Sequence, residues 1–250
     1  MLERLRRSLA DRNYASFGVE LLIVIVGILI AFQIERWAEQ RRDREQEHEY
    51  LVRLKEDLQI ENGRLDKAFE YAQSRIEAAL LLEEIVANPS LAEERPTALP
   101  VALETATWRS FPQIEAFVYS ELQSSGNLAL IRSESLRRKL ANHYTSIRGY
   151  SRVGLDLHIQ RQFDRLTAGI LTTDELSAIE DESWQGKQLT TTPQRAAEIT
   201  QELLKKRGAI DLIPNMVQHH VFNQKVILET RKRATDIIAE INSLIGHQDG

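Results

Sequence analysis

One run constrains this chain more than any other: residues 17–34, FGVELLIVIVGILIAFQI, with Glu20 as its single formal charge. A helix of this length reaches about 27 Å at ~1.5 Å per residue, close to the ~30 Å hydrocarbon thickness of a bilayer. Every position from 21 to 32 is apolar or glycine, so no polar stripe recurs at helical spacing. Arg4, Arg6, Arg7 and Arg12 precede the run, and a dense series of charges follows it from Glu35. Tyr14, Phe17 and Trp37 sit at its edges, as interfacial aromatics do. The core helix of a soluble domain has no reason to be bracketed in this way. The sequence predicts a transmembrane helix over 17–34.

Glu20 opposes insertion. A carboxylate at the bilayer centre costs roughly 2.5–3.5 kcal/mol, and less near the boundary. The nine Leu, Ile and Val residues between positions 21 and 30 favour insertion by roughly 0.3–0.6 kcal/mol each, about 3–5 in total. Insertion therefore wins with Glu20 charged. Two readings of Glu20 fit, a boundary residue reaching headgroup water and an intramembrane partner site. No small-x-small cleavage site follows the run, which makes it an uncleaved signal anchor. Lys and Arg tie, with four before the span and four in the fifteen residues after it. The terminal amine and six acidic residues within 35–49 break the tie, placing the N-terminus inside and the large domain across the membrane.

The expected organisation has four parts: a short basic cytoplasmic segment (1–16), the transmembrane helix (17–34), a charged helical stalk (35–50) and a helical-bundle domain (51–250). Gly27 and Ala31 form a small-xxx-small pair that would let a second helix approach, either another copy of the chain or a membrane-protein partner. Ten of the fifteen residues 35–49 are charged and none breaks a helix, the composition of a solvated stalk.

From Leu51 an apolar stripe runs through Leu54, Leu58, Leu65, Phe69, Ala72, Ile76, Leu80 and Val86, predicting a long amphipathic helix that ends at Asn88-Pro89. Pro89, Pro96 and Pro100 punctuate an irregular connection, and Pro112 is expected to open a helix through Leu122. Residues 124–127 (SSGN) read as a turn. Ser133 is expected to cap a helix reaching about Gly169, with Leu136, Leu140, Tyr144, Ile147, Gly154 and Leu157 on one face. Thr173 is expected to cap a short helix to Ile179, with a loop over 182–192. Thr192-Pro193 starts a helix closing at Lys205, Lys206 and Arg207 before Gly208, and the last helix runs from Pro214 to Gly246. The fold class is all-α, with long helices near 50–87, 134–169 and 214–245 packed as an antiparallel bundle.

Two stretches, GVELLIVIVGILIAFQIERWAEQRRDREQEHEYLVRLKEDL and YSELQSSGNLALIRSESLRRKLANHY, resemble an uncharacterised family of bacterial membrane-anchored helical proteins. The resemblance covers the anchor, the first long helix and the turn near Gly126. It implies one N-terminal span in the bacterial inner membrane and a periplasmic helical domain, and it supplies no catalytic residues.

No phosphate-binding loop, dinucleotide fingerprint, nucleophile elbow or HExxH helix is present, and the chain has no cysteine. A net charge of −5 with interspersed bases leaves nucleic acid without a basic surface to bind. No cofactor is expected. His220 falls on the apolar stripe of the last helix beside Asn223, and two readings fit: a hydrogen-bonded polar pair in the core, or the lining of a ligand pocket. His143 and Tyr144, on another long helix, are further candidates for that lining. The expected function is that of a non-enzymatic envelope protein acting as accessory, scaffold or adaptor through helix–helix contacts. The alternative is a ligand-sensing bundle signalling through a partner membrane protein, since the short inner segment holds no output domain.

Overall fold

The computed structural model describes the backbone of residues 2–108, 111–154, 158–184 and 189–248, and side chains over the same ranges except 2–17, 151–154, 181–184, 247 and 248. Leu157 and the side chains of the basic lead fall outside the described residues. Among the described residues the regular structure is helical throughout: α1 (Leu2–Ala87), α2 (Leu91–Glu94), α3 (Ala98–Thr105), α4 (Phe117–Ser124), a 3-10 turn (Asn127–Leu130), α5 (Glu134–Gly154), α6 (His158–Thr167), α7 (Thr173–Trp184), α8 (Pro193–Leu204), α9 (Arg207–Ile210) and α10 (Ile213–Gln248).

α1 dominates. Its 86 residues form one helix about 130 Å long. No proline and no clustered glycines interrupt it before Asn88-Pro89, where the backbone turns away. The residues expected to form span, stalk and first bundle helix are thus a single element, and no break marks residues 34 or 50. From Leu51 onward the helix becomes the spine of the core. Leu51, Leu58, Leu65, Ala72 and Ala79, each seven residues from the next, are fully buried. A strict seven-residue repeat explains where the expected stripe drifts: Leu80 is 40% exposed because Ala79 and Leu82 take the inward positions.

α10 lies antiparallel along α1. Asn62 meets Thr235, Asp66 meets Arg231, and Gln73 meets Gln224, so numbers fall on α10 step for step as they rise on α1. α5 runs in the same direction as α1, with Arg132 beside Glu47 and His143 beside Glu61. The core is strung along this spine. Leu51, Leu54 and Leu58 pack with α4, α5 and the end of α10. Leu65, Ala68 and Ala72 meet Phe111 and Ile227. Leu82 and Ile85 join α2, α3 and α6 to α9.

Several local expectations change. Pro112 opens no helix; α4 starts at Phe117, where Asp57 on α1 accepts the Val118 amide at 3.0 Å. That cap is tertiary and 61 residues distant in the chain. Pro100 sits inside the first turn of α3, where a proline is tolerated. The expected helix from Ser133 divides into α5 and α6. Thr172, not Thr173, caps α7, which continues to Trp184. Gly208 terminates nothing and lies within α9, its missing Cβ position 3.5 Å from Leu166. Gly126 takes the left-handed conformation, φ 77°, that the turn at 124–127 requires.

Candidate functional site

The residues expected to pack within a membrane lie bare. Positions 18–34 are exposed throughout, including Glu20 and Ala31, and a Cβ built on Gly27 meets nothing within 4 Å. The helix segment from Gly18 holds an 18-residue window of mean hydropathy 2.2, none of it buried, which is long and apolar enough to cross a bilayer. Among the described residues nothing packs against the Gly27–Ala31 face.

His220 and Asn223 are both buried on α10. His220 Nε2 lies 2.7 Å from the carbonyl oxygen of Ala106, which only accepts, so this nitrogen carries the proton and donates. Burial pushes the imidazole pKa down to about 4; the Ala106 bond opposes the shift, and His219 and Arg75 add to it. The ring is neutral near pH 7, and His220 serves here as a bridge from α10 to the segment after α3. Counting four residues on from the Gln73–Gln224 pair sets His220 level with Glu77. That is sixteen residues, or about 24 Å, beyond Glu61 along α1. His143 and Tyr144 therefore face a different part of the core.

Sequence reasoning missed a more informative line of residues. Positions 47, 54, 61, 68, 75 and 82 follow each other at seven-residue steps on α1: Glu47, Leu54, Glu61, Ala68, Arg75 and Leu82. The three apolar members are buried, as are Glu47 and Glu61, and Arg75 is half-buried. Every second position on a core line is thus charged. Glu47 accepts the Arg132 amide at 2.7 Å and the Arg132 guanidinium at 3.0 Å. Glu61 accepts from His143 Nε2 at 2.8 Å. Burial, with the nearby Glu61 and Asp57 carboxylates, pushes the Tyr144 phenol far up, and Tyr119 stacks on it at 4.7 Å.

Arg75 differs. Its guanidinium lies 5.0 Å from the Trp108 ring and 5.8 Å from the Tyr71 ring, and it donates to the Ser74 hydroxyl at 3.1 Å. Its Nε is buried without a partner, and no carboxylate pairs with it among the described residues. Burial lowers its pKa. The signal that would have found all three residues was in the sequence: charges recurring every fourteen residues on an otherwise apolar heptad line. Among the described residues no group of three or more His, Asp or Glu is placed to hold a metal ion.

These features define an all-helical chain whose first helix carries a bare apolar segment at one end and the core at the other. Residues 20–162 match a family of unknown function, DUF6090, and the chain belongs to that family. The match takes in the apolar segment from Glu20, the spine, α2 to α5 and part of α6. No curated protein and no solved structure matches the chain.

Proposed function

We propose that this protein is a non-enzymatic, single-span protein of the bacterial inner membrane. Its N-terminus is cytoplasmic, its antiparallel helical bundle periplasmic, and it acts as an accessory, scaffold or adaptor through helix–helix contacts. One observation carries the reading: the helix that exposes twelve large apolar side chains between Val19 and Ile34 supplies the buried spine of the domain at its end. Lipid is the natural cover for such a surface, and protein contacts with it need small residues where backbones approach. Gly27 and Ala31 lie on that uncovered surface.

The test is extraction of the full chain in mild detergent, followed by the mass and composition of the complex. A stoichiometric second protein or a homodimer, reduced by Gly27→Leu with Ala31→Leu, supports the reading. A monomer unchanged by both substitutions overturns the part assigned to this face. Single cysteines introduced at Ser8 and at Glu134, in a chain that has none, report the orientation by labelling from either side.

A further inference from the structure

Three charges stand on the core line of α1, and two of them are answered by the protein itself. Glu47 has Arg132 and Glu61 has His143. Arg75 has two aromatic rings and a serine hydroxyl. A guanidinium partly withdrawn from water and, among the described residues, left without a counter-ion is costly unless something else supplies the negative charge.

Beside Arg75 an open cleft of about 540 Å³ lies between α1 and α3. Ala78, Leu81, Ala98, Val101 and Ala102 give it an apolar wall. Arg95 stands exposed at its edge as a second cation. Two carboxylates, Glu77 and Glu84, also line it, but both are exposed, and Glu77 accepts from Gln73 at 2.8 Å. Exposed charges are screened by water and salt, whereas a desolvated guanidinium keeps its field. Planar, forked donors beside an apolar wall fit a carboxylate that carries an apolar body.

We propose that the cleft beside Arg75 is a binding site for a small organic carboxylate. The carboxylate pairs with Arg75, and the apolar body lies against Leu81, Val101 and Ala102. The site itself stands on the bundle alone; only the choice of a soluble ligand over a bilayer lipid rests on the membrane arrangement proposed above, in which the site lies about 60 Å along α1 from Ile34.

The probe pair is phenylacetate and 2-phenylethanol, which share a shape and differ in charge, titrated by calorimetry into the detergent-solubilised full chain. Phenylacetate is expected to bind saturably, at least ~10-fold more tightly than the alcohol. Arg75→Gln is expected to weaken it ~10-fold or more, with Arg75→Lys between the two. Ala98→Leu, which fills the cleft from α3 and leaves every charge in place, is expected to weaken it as well; this variant decides the matter if Arg75→Gln fails to fold. No saturable phenylacetate binding, equal binding of the alcohol, or binding unchanged in both Arg75→Gln and Ala98→Leu overturns the proposal. Inorganic phosphate binding as well as phenylacetate overturns the apolar half of the site.

Discussion

His143 Nε2 lies 2.8 Å from Glu61 Oε1, and both side chains are sealed from solvent between α5 and α1. Removing one partner leaves the other buried and unanswered, a loss of about 3–5 kcal/mol. Glu61→Leu and His143→Leu are each expected to lower stability by that order in urea unfolding. The double variant Glu61→Leu with His143→Leu is expected to lose clearly less than the two single losses together, because no polar group remains stranded. Additive losses would show that the two side chains do not act as a pair.

His220 makes the domain sensitive to mild acid. Its pKa falls from an ordinary 6.5 to about 4 in the fold, chiefly through burial. The unfolded chain therefore binds more protons between those values. Stability is complete above about pH 6.5 and declines as pH falls toward 4, by roughly 3 kcal/mol at most. His220→Gln, which keeps a donor for Ala106, is expected to flatten this limb of a stability-versus-pH curve. A curve unchanged by the substitution would contradict the assignment.

Thr172 and Glu175 close the start of α7 reciprocally. The Glu175 amide donates to Thr172 Oγ1, and the Thr172 amide donates to Glu175 Oε2. Arg195 at the start of α8 grips the same carboxylate at 2.8 and 3.0 Å. Arg195, followed by the Thr172 bonds, holds the Glu175 pKa down to about 2 against the opposing effect of burial. That contribution is full above about pH 4.5 and is lost as pH falls toward 2. Thr172→Ala is expected to cost about 1 kcal/mol. Glu175→Gln is expected to cost more at pH 7 than at pH 2.5, and equal costs at both would count against the ion pair.

The chain lacks cysteine, which makes the α1–α10 register open to a clean chemical test. Gln73→Cys with Gln224→Cys, and Asn62→Cys with Thr235→Cys, are expected to cross-link within the chain through a short bismaleimide. Gln73→Cys with Thr235→Cys, displaced by eleven residues or about 16 Å along the helix, is expected to remain open. Efficient linkage of the mismatched pair would rule out this alignment.

Much of the fold was readable in the chain because its punctuation is strong. Asn88-Pro89 ends α1, Thr192-Pro193 opens α8, and Gly126 turns left-handed, each for local backbone reasons. The errors fall where distant partners decide. Asp57 caps α4 across 61 residues, so Pro112 misled. Leu80 is more apolar than Ala79, yet the seven-residue phase sends the alanine inward. For the site, His220 and Asn223 stand out as polar residues on an apolar face, while Glu47 reads as part of the solvated stalk and Glu61 and Arg75 do not stand out among the charges around them. Tracking the heptad line rather than the apolar residues would have separated them from the exposed acids around them.

The absence of any hinge in α1 has a mechanical consequence. From Ile34 to Ala87 the helix is about 80 Å long, and the domain is built onto it rather than hung from it. In the proposed membrane arrangement a 10° change in the inclination of the anchored end carries the far end sideways by about 14 Å, with no backbone torsion altered along the way. The protein would behave as a lever whose short arm lies in the lipid and whose long arm reaches across the compartment.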